Sequence, residues 1–480
     1  MPLFVNKYFH FRGIKLNLKK NDIVTLDITD ITNLGFGVAR HKGEVVFVSD
    51  AIMGETVRAK IIKVTSSYAV GKPEEVLSTS AYRTADRCTL SQCKSCAYKN
   101  ITYAKECEIK YESVKTAFKK CGLDEVEIAP LIASPSNLAY RNKAQYPIAK
   151  NASGEYVIGF FAPKSHRVTE ALECPLSHPV FSEILDTLRA FFKNHSLSVY
   201  DEASRHGLLR HIYLRRGEVS GEILLTLVVN GKSIPKSDEL VSIITQRFPS
   251  VVGILLNENT ANTNVILGEK YTTLFGRDYI FDTLAGVELK ITAPSFYQVN
   301  HDCAELLYSK ARELAKLKKS DTLLDLYCGA GSIGLSMADD CRELIGIEIV
   351  ESAVECARFN AQRNGIKNAS FYTGDAANAE ALLENAERMR GSKIAPRVIV
   401  LDPPRAGCDE ALLNHIAHKL SPEKIVYISC NPQTLARDCA ILEPLGYSIG
   451  EVTPVDMFPG TGHVESVVRL ERRLDVDMRR

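Results

Sequence analysis

The sequence lacks any long hydrophobic run: no apolar stretch in its 480 residues approaches the ~20 that a membrane-spanning helix requires. Its first residues, MPLFVNK, also lack the uninterrupted apolar segment and small-residue cleavage site of a secretory signal. These absences favour a soluble cytoplasmic protein. A hydrophobic content of 45% with 24% charged residues is typical of a chain that folds into two or three globular domains.

The sequence has almost no net charge, because 59 lysines and arginines face 58 aspartates and glutamates, which leaves +1 at pH 7. A nucleic-acid partner would therefore be held by local basic patches rather than by the field of the whole molecule. Net charge alone neither indicates nor excludes an RNA partner.

A disulfide framework is also missing. The 13 cysteines are odd in number and scattered through segments with helix and strand patterns, which is unlike a disulfide-rich secreted chain. Three of them, Cys88, Cys93 and Cys96, lie in one short segment, CTLSQCKSC. Soft thiolates at this density suit an iron–sulfur cluster or a zinc ion, and the spacing alone does not distinguish the two.

The pattern of secondary structure changes twice along the chain. Residues 22–76 consist of short β-branched segments separated by glycines, which predicts a small β-barrel. Residues 135–289 alternate strand-like runs with turns, the clearest strands being 156–161 and 222–229. From about residue 293 the pattern becomes α/β, which predicts a C-terminal Rossmann-like domain.

Within this α/β region, four strand-like runs end in polar residues. Residues 321–334, DTLLDLYCGAGSIG, form an apolar run that enters a glycine-rich turn and then a helix. The runs LIGIE, FYTGD and VIVLDPPR end near Glu348, Asp375 and Asp402. The carboxyl ends of parallel strands meet at one edge of a sheet, where ligands bind, and a carboxylate there accepts hydrogen bonds from ribose hydroxyls. The glycine-rich turn by itself is weak evidence, since dinucleotide enzymes have one too.

Two motifs near the C-terminus carry candidate catalytic groups. Residues 428–438, ISCNPQTLARD, place Cys430 directly after an apolar run, as a nucleophile requires. Residues 457–466, MFPGTGHVES, offer the Glu465 carboxylate from a turn-rich loop, as a general base requires.

Together these motifs resemble those of the uracil-5 RNA methyltransferases, and specifically of the 23S rRNA (uracil-5-)-methyltransferases. The resemblance implies a class I fold in which Cys430 adds to C6 of a uridine, C5 attacks the methyl group of S-adenosylmethionine, and Glu465 then removes the C5 proton. It also implies the positions that bind S-adenosylmethionine, which are Gln298, Tyr327, Glu348, Asp375 and Asp402.

The N-terminal segments GFGVAR, EVVFV and GETVRAKI resemble a TRAM domain, an OB-like barrel that implies RNA binding through cations such as Arg40, Arg58, Lys60 and Lys63. The family resemblance further implies a [4Fe-4S] cluster held by Cys88, Cys93, Cys96 and Cys174. Family members carry one more residue between the first two cysteines, so Cys107 stands as an alternative to Cys88, although its surroundings favour an ordinary helix.

We therefore expect three domains: a TRAM-like barrel in residues 14–80, a cluster-bearing α+β region in 81–290, and the methyltransferase domain in 291–480. Segment 98–134 is a candidate to pack on the last of these. The preferred substrate is 23S ribosomal RNA. The alternatives are a uridine in the T-loop of tRNA, or an RNA-binding protein with a vestigial methyltransferase site.

One further basic run has two interpretations. Residues 207–216, GLLRHIYLRR, interleave cations with apolar residues at roughly the period of a strand. Their cations are Arg210, His211, Arg215 and Arg216, which either hold RNA phosphates or form a solvated strand face.

Overall fold

The computed structural model describes residues 17–85, 88, 90, 93, 95–162, 165–390 and 393–473. By internal packing the chain divides into two compact units. The first unit runs to Lys110 and includes Phe458–His463; the second contains Tyr111–Met457 and the chain from Val464 onward. In the part of the chain that is described, no helix is both long enough and apolar enough to span a bilayer. The division into three domains stays a prediction.

The first unit contains a six-stranded sheet in the order β1-β5-β6-β4-β3-β2. Its strands are β1 (Ile23–Asp27), β2 (Asp30–Ile31), β3 (Phe36–His41), β4 (Glu44–Ser49), β5 (Thr56–Val64) and β6 (Ala69–Ser78). Apolar side chains that alternate along these strands, among them Leu26, Val46 and Val57, form the core of the unit. Helix α1 (Tyr103–Lys120) begins in this unit and crosses the division after Lys110.

The second unit contains a seven-stranded sheet in the order β13-β12-β11-β10-β7-β8-β9. Its strands are β7 (Lys143–Lys150), β8 (Tyr156–Phe161), β9 (Val168–Glu170), β10 (Leu209–Arg216), β11 (Ile223–Val229), β12 (Val251–Glu258) and β13 (Lys270–Gly276). Helices α2 (Pro179–Asn194) and α3 (Ser237–Arg247) supply apolar side chains to the same core. The strands predicted at 156–161 and 222–229 correspond to β8 and β11.

A hairpin and another seven-stranded sheet complete the second unit, the latter in the order β18-β17-β16-β19-β20-β22-β21. The hairpin strands are β14 (Tyr279–Leu284) and β15 (Val287–Thr292), and the sheet strands are β16 (Thr322–Leu326), β17 (Glu343–Glu348), β18 (Ala369–Thr373), β19 (Val398–Leu401), β20 (Lys424–Ser429), β21 (Tyr447–Val455) and β22 (Glu465–Arg472). Strands β16 to β20 pair in parallel, and β22 runs antiparallel to both β20 and β21. The order reverses between β16 and β19, as at the ligand crevice of a doubly wound fold.

The remaining helices connect these strands. They are α4 (His301–Ala315), α5 (Ser332–Ser336), α6 (Glu351–Arg363), α7 (Ala379–Arg390), α8 (Glu410–His415) and α9 (Pro432–Leu442). Sequence signals fix two of their starts: the side chains of Asn300 and Asn431 accept hydrogen bonds from the backbone N–H groups of Cys303 (3.3 Å) and Gln433 (3.1 Å). Strands β16, β19 and β20 are buried throughout, as expected for parallel strands covered on both faces. The predicted α/β arrangement is confirmed.

Part of segment 98–134 lies in the core of the C-terminal sheet. Val114, Ala117 and Phe118 belong to the same apolar cluster as strands β16 to β20. Beyond the helix, the backbone N–H of Ala129 donates to the carbonyl of Val452 (2.8 Å), so residues 127–132 run along β21. These contacts extend the sheet with a segment that is far away in the sequence.

Both interpretations of the basic run 207–216 are wrong for its first cations, because these side chains are buried. Arg210, His211 and Arg215 are at most 7% exposed. Arg210 donates to the carbonyl oxygens of residues 259 (2.7 Å) and 261 (3.0 Å), and Arg215 donates to that of residue 295 (2.6 Å). Arg216 is half-buried and pairs with the Glu218 carboxylate at 2.7 Å. These side chains form contacts within the protein around the central sheet and do not form a phosphate-binding surface.

Candidate active site

The glycine-rich turn after β16 leaves room for a ligand beside a carboxylate. The backbone N–H of Gly329 donates to Oε2 of Glu348 (3.1 Å), and the N–H of Val350 donates to Oε1 (2.9 Å). Gly329 has φ +54°, and a Cβ atom placed there would meet no atom within 4 Å. The turn therefore brings open space and an oriented carboxylate together, which fits the predicted binding of S-adenosylmethionine.

Two other predicted cofactor-binding residues, Tyr327 and Asp375, lie near the same turn. Tyr327 follows β16 directly and has φ +65°, an unusual conformation for a residue with a side chain. The nearby charge of Asp375 is among the causes that raise the pKa of Tyr327, after burial. Gln298 is buried, and its backbone oxygen accepts a hydrogen bond from Nδ2 of Asn142 (2.8 Å).

Sequence reasoning missed a carboxylate below this turn. Asp325 lies in the middle of β16, and its Oδ2 accepts a hydrogen bond from the N–H of Gly334 (2.9 Å), which fixes the start of α5. Burial, with the charges of Asp402 and Glu348, raises its pKa to about 8. The signal was present in the sequence: a lone acid within an otherwise apolar strand is costly to bury unless it serves a structural or functional purpose.

The candidate nucleophile and base lie next to each other at the carboxyl end of the sheet. Ser429 and Ser466 are register partners on the antiparallel strands β20 and β22, and the residues next to them, Cys430 and Glu465, are close enough for the Glu465 charge to raise the pKa of Cys430. Asp402 directly follows β19, which is parallel to β20. Three adjacent strands thus deliver a thiol and two carboxyl groups to one place.

The pKa values show that these groups feel one another's charge. Burial raises the pKa of Asp402 to about 7, and burial with the charge of Asp402 raises the pKa of Glu465 to about 8. Burial, followed by the charges of Glu465 and Asp402, raises the pKa of Cys430 to about 11. Arg405 opposes these shifts, because its guanidinium hydrogen-bonds the thiol and its positive charge lowers the pKa of both Cys430 and Glu465. Arg405 therefore favours the charged forms of both Cys430 and Glu465.

The loop that carries Arg405 is held by the helix that follows Cys430. Nδ2 of Asn431 donates to the Arg405 carbonyl (3.1 Å), so the cap of α9 also anchors this loop. Arg437 donates to the carbonyls of residues 406 (3.0 Å) and 408 (2.9 Å). The fully buried Asp438 carboxylate accepts hydrogen bonds from the Tyr427 hydroxyl (2.5 Å) and from the N–H of residue 408 (2.9 Å). The polar residues of the ISCNPQTLARD motif thus position both Cys430 and its neighbour Arg405.

The predicted cluster cysteines form no metal site among the residues that the structure describes. Cys88, Cys93, Cys96 and Cys174 are each half-buried. Within the described ranges, no three His, Cys, Asp or Glu side chains are arranged to hold a metal ion. Cys107, the alternative ligand, lies within helix α1. A [4Fe-4S] cluster is thus not shown.

The cations predicted to contact RNA in the first unit are better placed than those of β10. Arg40, Arg58 and Lys63 are exposed, and Lys60 is half-buried. Arg58 shares a surface ion pair with Glu75 at 2.8 Å. These side chains are open to solvent, as a contact with a nucleic-acid backbone requires.

Comparisons with known proteins agree with this geometry. Residues 102–473 match the family model described as tRNA (uracil-5-)-methyltransferase, and residues 18–73 match the TRAM domain. The chain is 39% identical to an uncharacterized RNA methyltransferase of Clostridium acetobutylicum, over 95% of this chain and 98% of that protein. A similar relative from Halalkalibacterium halodurans is 38% identical over 95% and 98%.

Among solved structures, the chain is similar to the Pyrococcus abyssi tRNA (uracil-54, C5)-methyltransferase in complex with S-adenosyl-L-homocysteine. The TM-score is 0.74 with 25% sequence identity, and the match covers 93% of this chain and 100% of the other.

Proposed function

The chain belongs to the tRNA (uracil-5-)-methyltransferase family and is an S-adenosylmethionine-dependent RNA uracil-5-methyltransferase, and we propose that it acts on 23S ribosomal RNA through a covalent Cys430–C6 adduct. The observation that carries the proposed mechanism is the meeting of Cys430, Glu465 and Arg405 at the ends of adjacent strands.

Glu348, Tyr327, Gln298, Asp375 and Asp402 are the residues that would hold S-adenosylmethionine in this proposal. When bound, it supplies an electrophilic methyl group on a positively charged sulfur. The Glu348 carboxylate is already oriented by two backbone N–H groups, so it offers fixed acceptors to ribose hydroxyls without reorganisation.

Cys430 begins the reaction. Uracil C5 is a weak nucleophile, and addition of the Cys430 thiolate to C6 breaks the C5–C6 double bond and gives an enolate with electron density on C5. The thiol first loses its proton to solvent, and the Arg405 guanidinium stabilises the resulting thiolate. The target uridine has to leave its stack to reach this position, which costs a few kcal/mol and is easiest in a loop or bulge.

Glu465 completes the reaction. After C5 has bonded to the methyl carbon and the sulfur–methyl bond has broken, C5 still carries its proton. The Glu465 carboxylate takes that proton, the electron pair re-forms the C5–C6 double bond, and the Cys430 thiolate leaves C6. Its raised pKa of about 8 makes Glu465 a stronger base than an exposed glutamate.

Ribosomal RNA is the proposed substrate because a TRAM domain combined with a set of candidate cluster cysteines resembles enzymes of that class. The competing candidate is tRNA, because the similar Pyrococcus abyssi enzyme is described as a tRNA (uracil-54, C5)-methyltransferase. We would incubate the protein and S-adenosylmethionine with 23S rRNA or tRNA transcripts that contain 5-tritiated uridine, with Cys430→Ala in parallel. Tritium release from the ribosomal transcript alone supports the proposal, whereas release from tRNA alone overturns the substrate and keeps the chemistry.

We also propose that Cys88, Cys93, Cys96 and Cys174 hold a [4Fe-4S] cluster. The support is the affinity of thiolates for iron and the family resemblance. The cluster has no part in the proposed reaction. Anaerobically purified protein should contain about four irons and four sulfides per chain and absorb near 400 nm. Protein that carries zinc instead, or no metal, would contradict this proposal.

A further inference from the structure

A buried ion pair in the first unit forms hydrogen bonds with the backbone of the loop that leads to Glu465. Glu106 and Lys110 lie one turn apart on α1, are 0% and 1% exposed, and pair at 2.7 Å. Oε1 of Glu106 accepts a hydrogen bond from the backbone N–H of Gly460 (2.6 Å). Nζ of Lys110 donates to the backbone carbonyl of Phe458 (3.1 Å). Both charges of the pair therefore bind the backbone of one loop.

Other contacts within the first unit hold the same loop. The N–H of Tyr98 donates to the Gly460 carbonyl (3.0 Å), and the Thr461 hydroxyl donates to the Phe458 carbonyl (2.8 Å). A Cβ atom on Gly462 would lie 1.9 Å from the carbonyl oxygen of Asn33, so only glycine fits there. The segment Phe458–His463 consequently packs as part of the first unit, although it lies near the end of the chain.

This loop ends two residues before the candidate base. Val464 and Glu465 are buried, and Glu465 begins β22, where it pairs with Val455. A buried ion pair contributes little net stability, since desolvation of both charges offsets their attraction and an apolar pair of similar volume is often as stable. Its two hydrogen bonds to the loop backbone therefore indicate a role in geometry.

We propose that Glu106 and Lys110 are positioning residues for Glu465. They fix the backbone of the loop Phe458–His463 so that the Glu465 carboxylate reaches the C5 proton. This inference rests on the proposed function, because it assigns the pair to the proton-removal step. It makes a specific prediction: loss of the pair slows proton removal and release of Cys430 while methyl transfer continues.

The test compares two double variants in which no buried charge is left alone. Glu106→Leu/Lys110→Met removes both hydrogen bonds to the loop, whereas Glu106→Gln/Lys110→Met keeps an acceptor for the Gly460 N–H. Glu108→Leu is the matched control, because Glu108 lies on the same helix, is 61% exposed, and pairs only at the surface with Lys105. Thermal unfolding and circular dichroism establish that each variant is folded.

The measurement is a single turnover with carbon-labelled S-adenosylmethionine and RNA containing 5-tritiated uridine. In wild type and Glu108→Leu, tritium release should keep pace with methyl transfer. In Glu106→Leu/Lys110→Met, tritium release should be about tenfold slower than methyl transfer, and a methylated RNA–protein adduct stable to denaturant should accumulate. Glu106→Gln/Lys110→Met should recover only part of the wild-type ratio, because it keeps the hydrogen bond to Gly460 and lacks the one to Phe458.

Two results would overturn the inference: tritium release that keeps pace with methyl transfer in the leucine variant, or equal slowing of both steps, which indicates a general structural role. Failure of the proposed function has a different signature. Wild-type protein would then transfer methyl groups without releasing tritium from C5, or without any adduct forming in the Glu465→Gln variant used as a positive control.

Discussion

Strand β10 and the ends of β19 and β20 both carry polar residues in apolar surroundings, yet the structure uses them differently. In β10 the cations Arg210 and Arg215 lie within the strand, between the paired strands β7 and β11, and are buried. Asp402 and Cys430 each lie one residue beyond the last residue of a buried strand. A polar group inside a central strand serves the fold, whereas a polar group just past a strand end is free to meet a ligand.

The energetics of the two regions differ for the same reason. The buried Arg210 guanidinium donates to the carbonyl groups of residues 259 and 261, so its charge is compensated within the fold. Cys430, Asp402 and Glu465 instead have raised pKa values, because no fully compensating partner stabilises their charged forms. Substitutions should therefore separate activity from stability between the two regions.

The largest effect on activity should come from Cys430→Ala. Without a nucleophile for C6, methyl transfer should fall by about 10³-fold or more, while the unfolding temperature stays close to that of wild type. Radioactive methyl transfer and calorimetry on the same samples provide both numbers. Methyl transfer within tenfold of wild type would assign the chemistry to another group.

The Glu465→Gln variant should affect a later step. Loss of the base should slow product release by about 10²-fold to 10³-fold, with the methylated adduct building up. Gel electrophoresis under denaturing conditions would reveal the adduct as a slower band. Normal release together with no adduct would show that another group removes the proton.

Arg210→Met tests the other region of the comparison, the buried cations of β10. Loss of its hydrogen bonds to residues 259 and 261 should lower the free energy of unfolding by about 2–4 kcal/mol. RNA affinity of the folded protein should change less than about twofold. The exposed Lys232 offers a control, since Lys232→Met removes the same charge at a surface position. A large loss of RNA affinity without a loss of stability would restore the phosphate-binding interpretation of β10.

The smallest effect concerns pH. In the proposed mechanism Glu465 acts as a carboxylate, and burial raises its pKa to about 8, so the active form is lost as pH falls below that value. The rate of tritium release from C5 in a single turnover should therefore fall about tenfold per pH unit below pH 8. Arg405→Gln should move this fall to higher pH, because Arg405 lowers the pKa of Glu465 and Cys430. A flat profile between pH 6 and 8 would contradict this assignment.

Local signals in the sequence were sufficient for most strands of the C-terminal sheet. Apolar runs that end in glycine or an acid marked β16, β17, β18 and β19, and the run before Cys430 marked β20. The TRAM segments likewise matched strands of the first sheet. The catalytic and cofactor roles of these residues stay predictions.

Contacts between segments that are distant in the chain could not be predicted from the sequence. The carbonyl groups that accept hydrogen bonds from Arg210 come from a loop about 50 residues away, so the sequence predicted either a phosphate-binding run or a solvated strand face. Residues 127–132 form hydrogen bonds with β21, and Glu106 accepts one from Gly460. No local sequence pattern predicts either contact. Such long-range pairing depends on the assembled fold rather than on local propensity.

The most direct test of the central claim uses RNA in which 5-fluorouridine replaces uridine. Fluorine at C5 cannot leave as a proton does, so a reaction that proceeds through a C6 adduct stops with the RNA bound to the enzyme. With S-adenosylmethionine, wild-type protein should form a denaturant-stable complex, and mass spectrometry should locate the bound, methylated nucleotide on Cys430. No complex with wild type, or an equal yield with Cys430→Ala, would contradict the covalent mechanism.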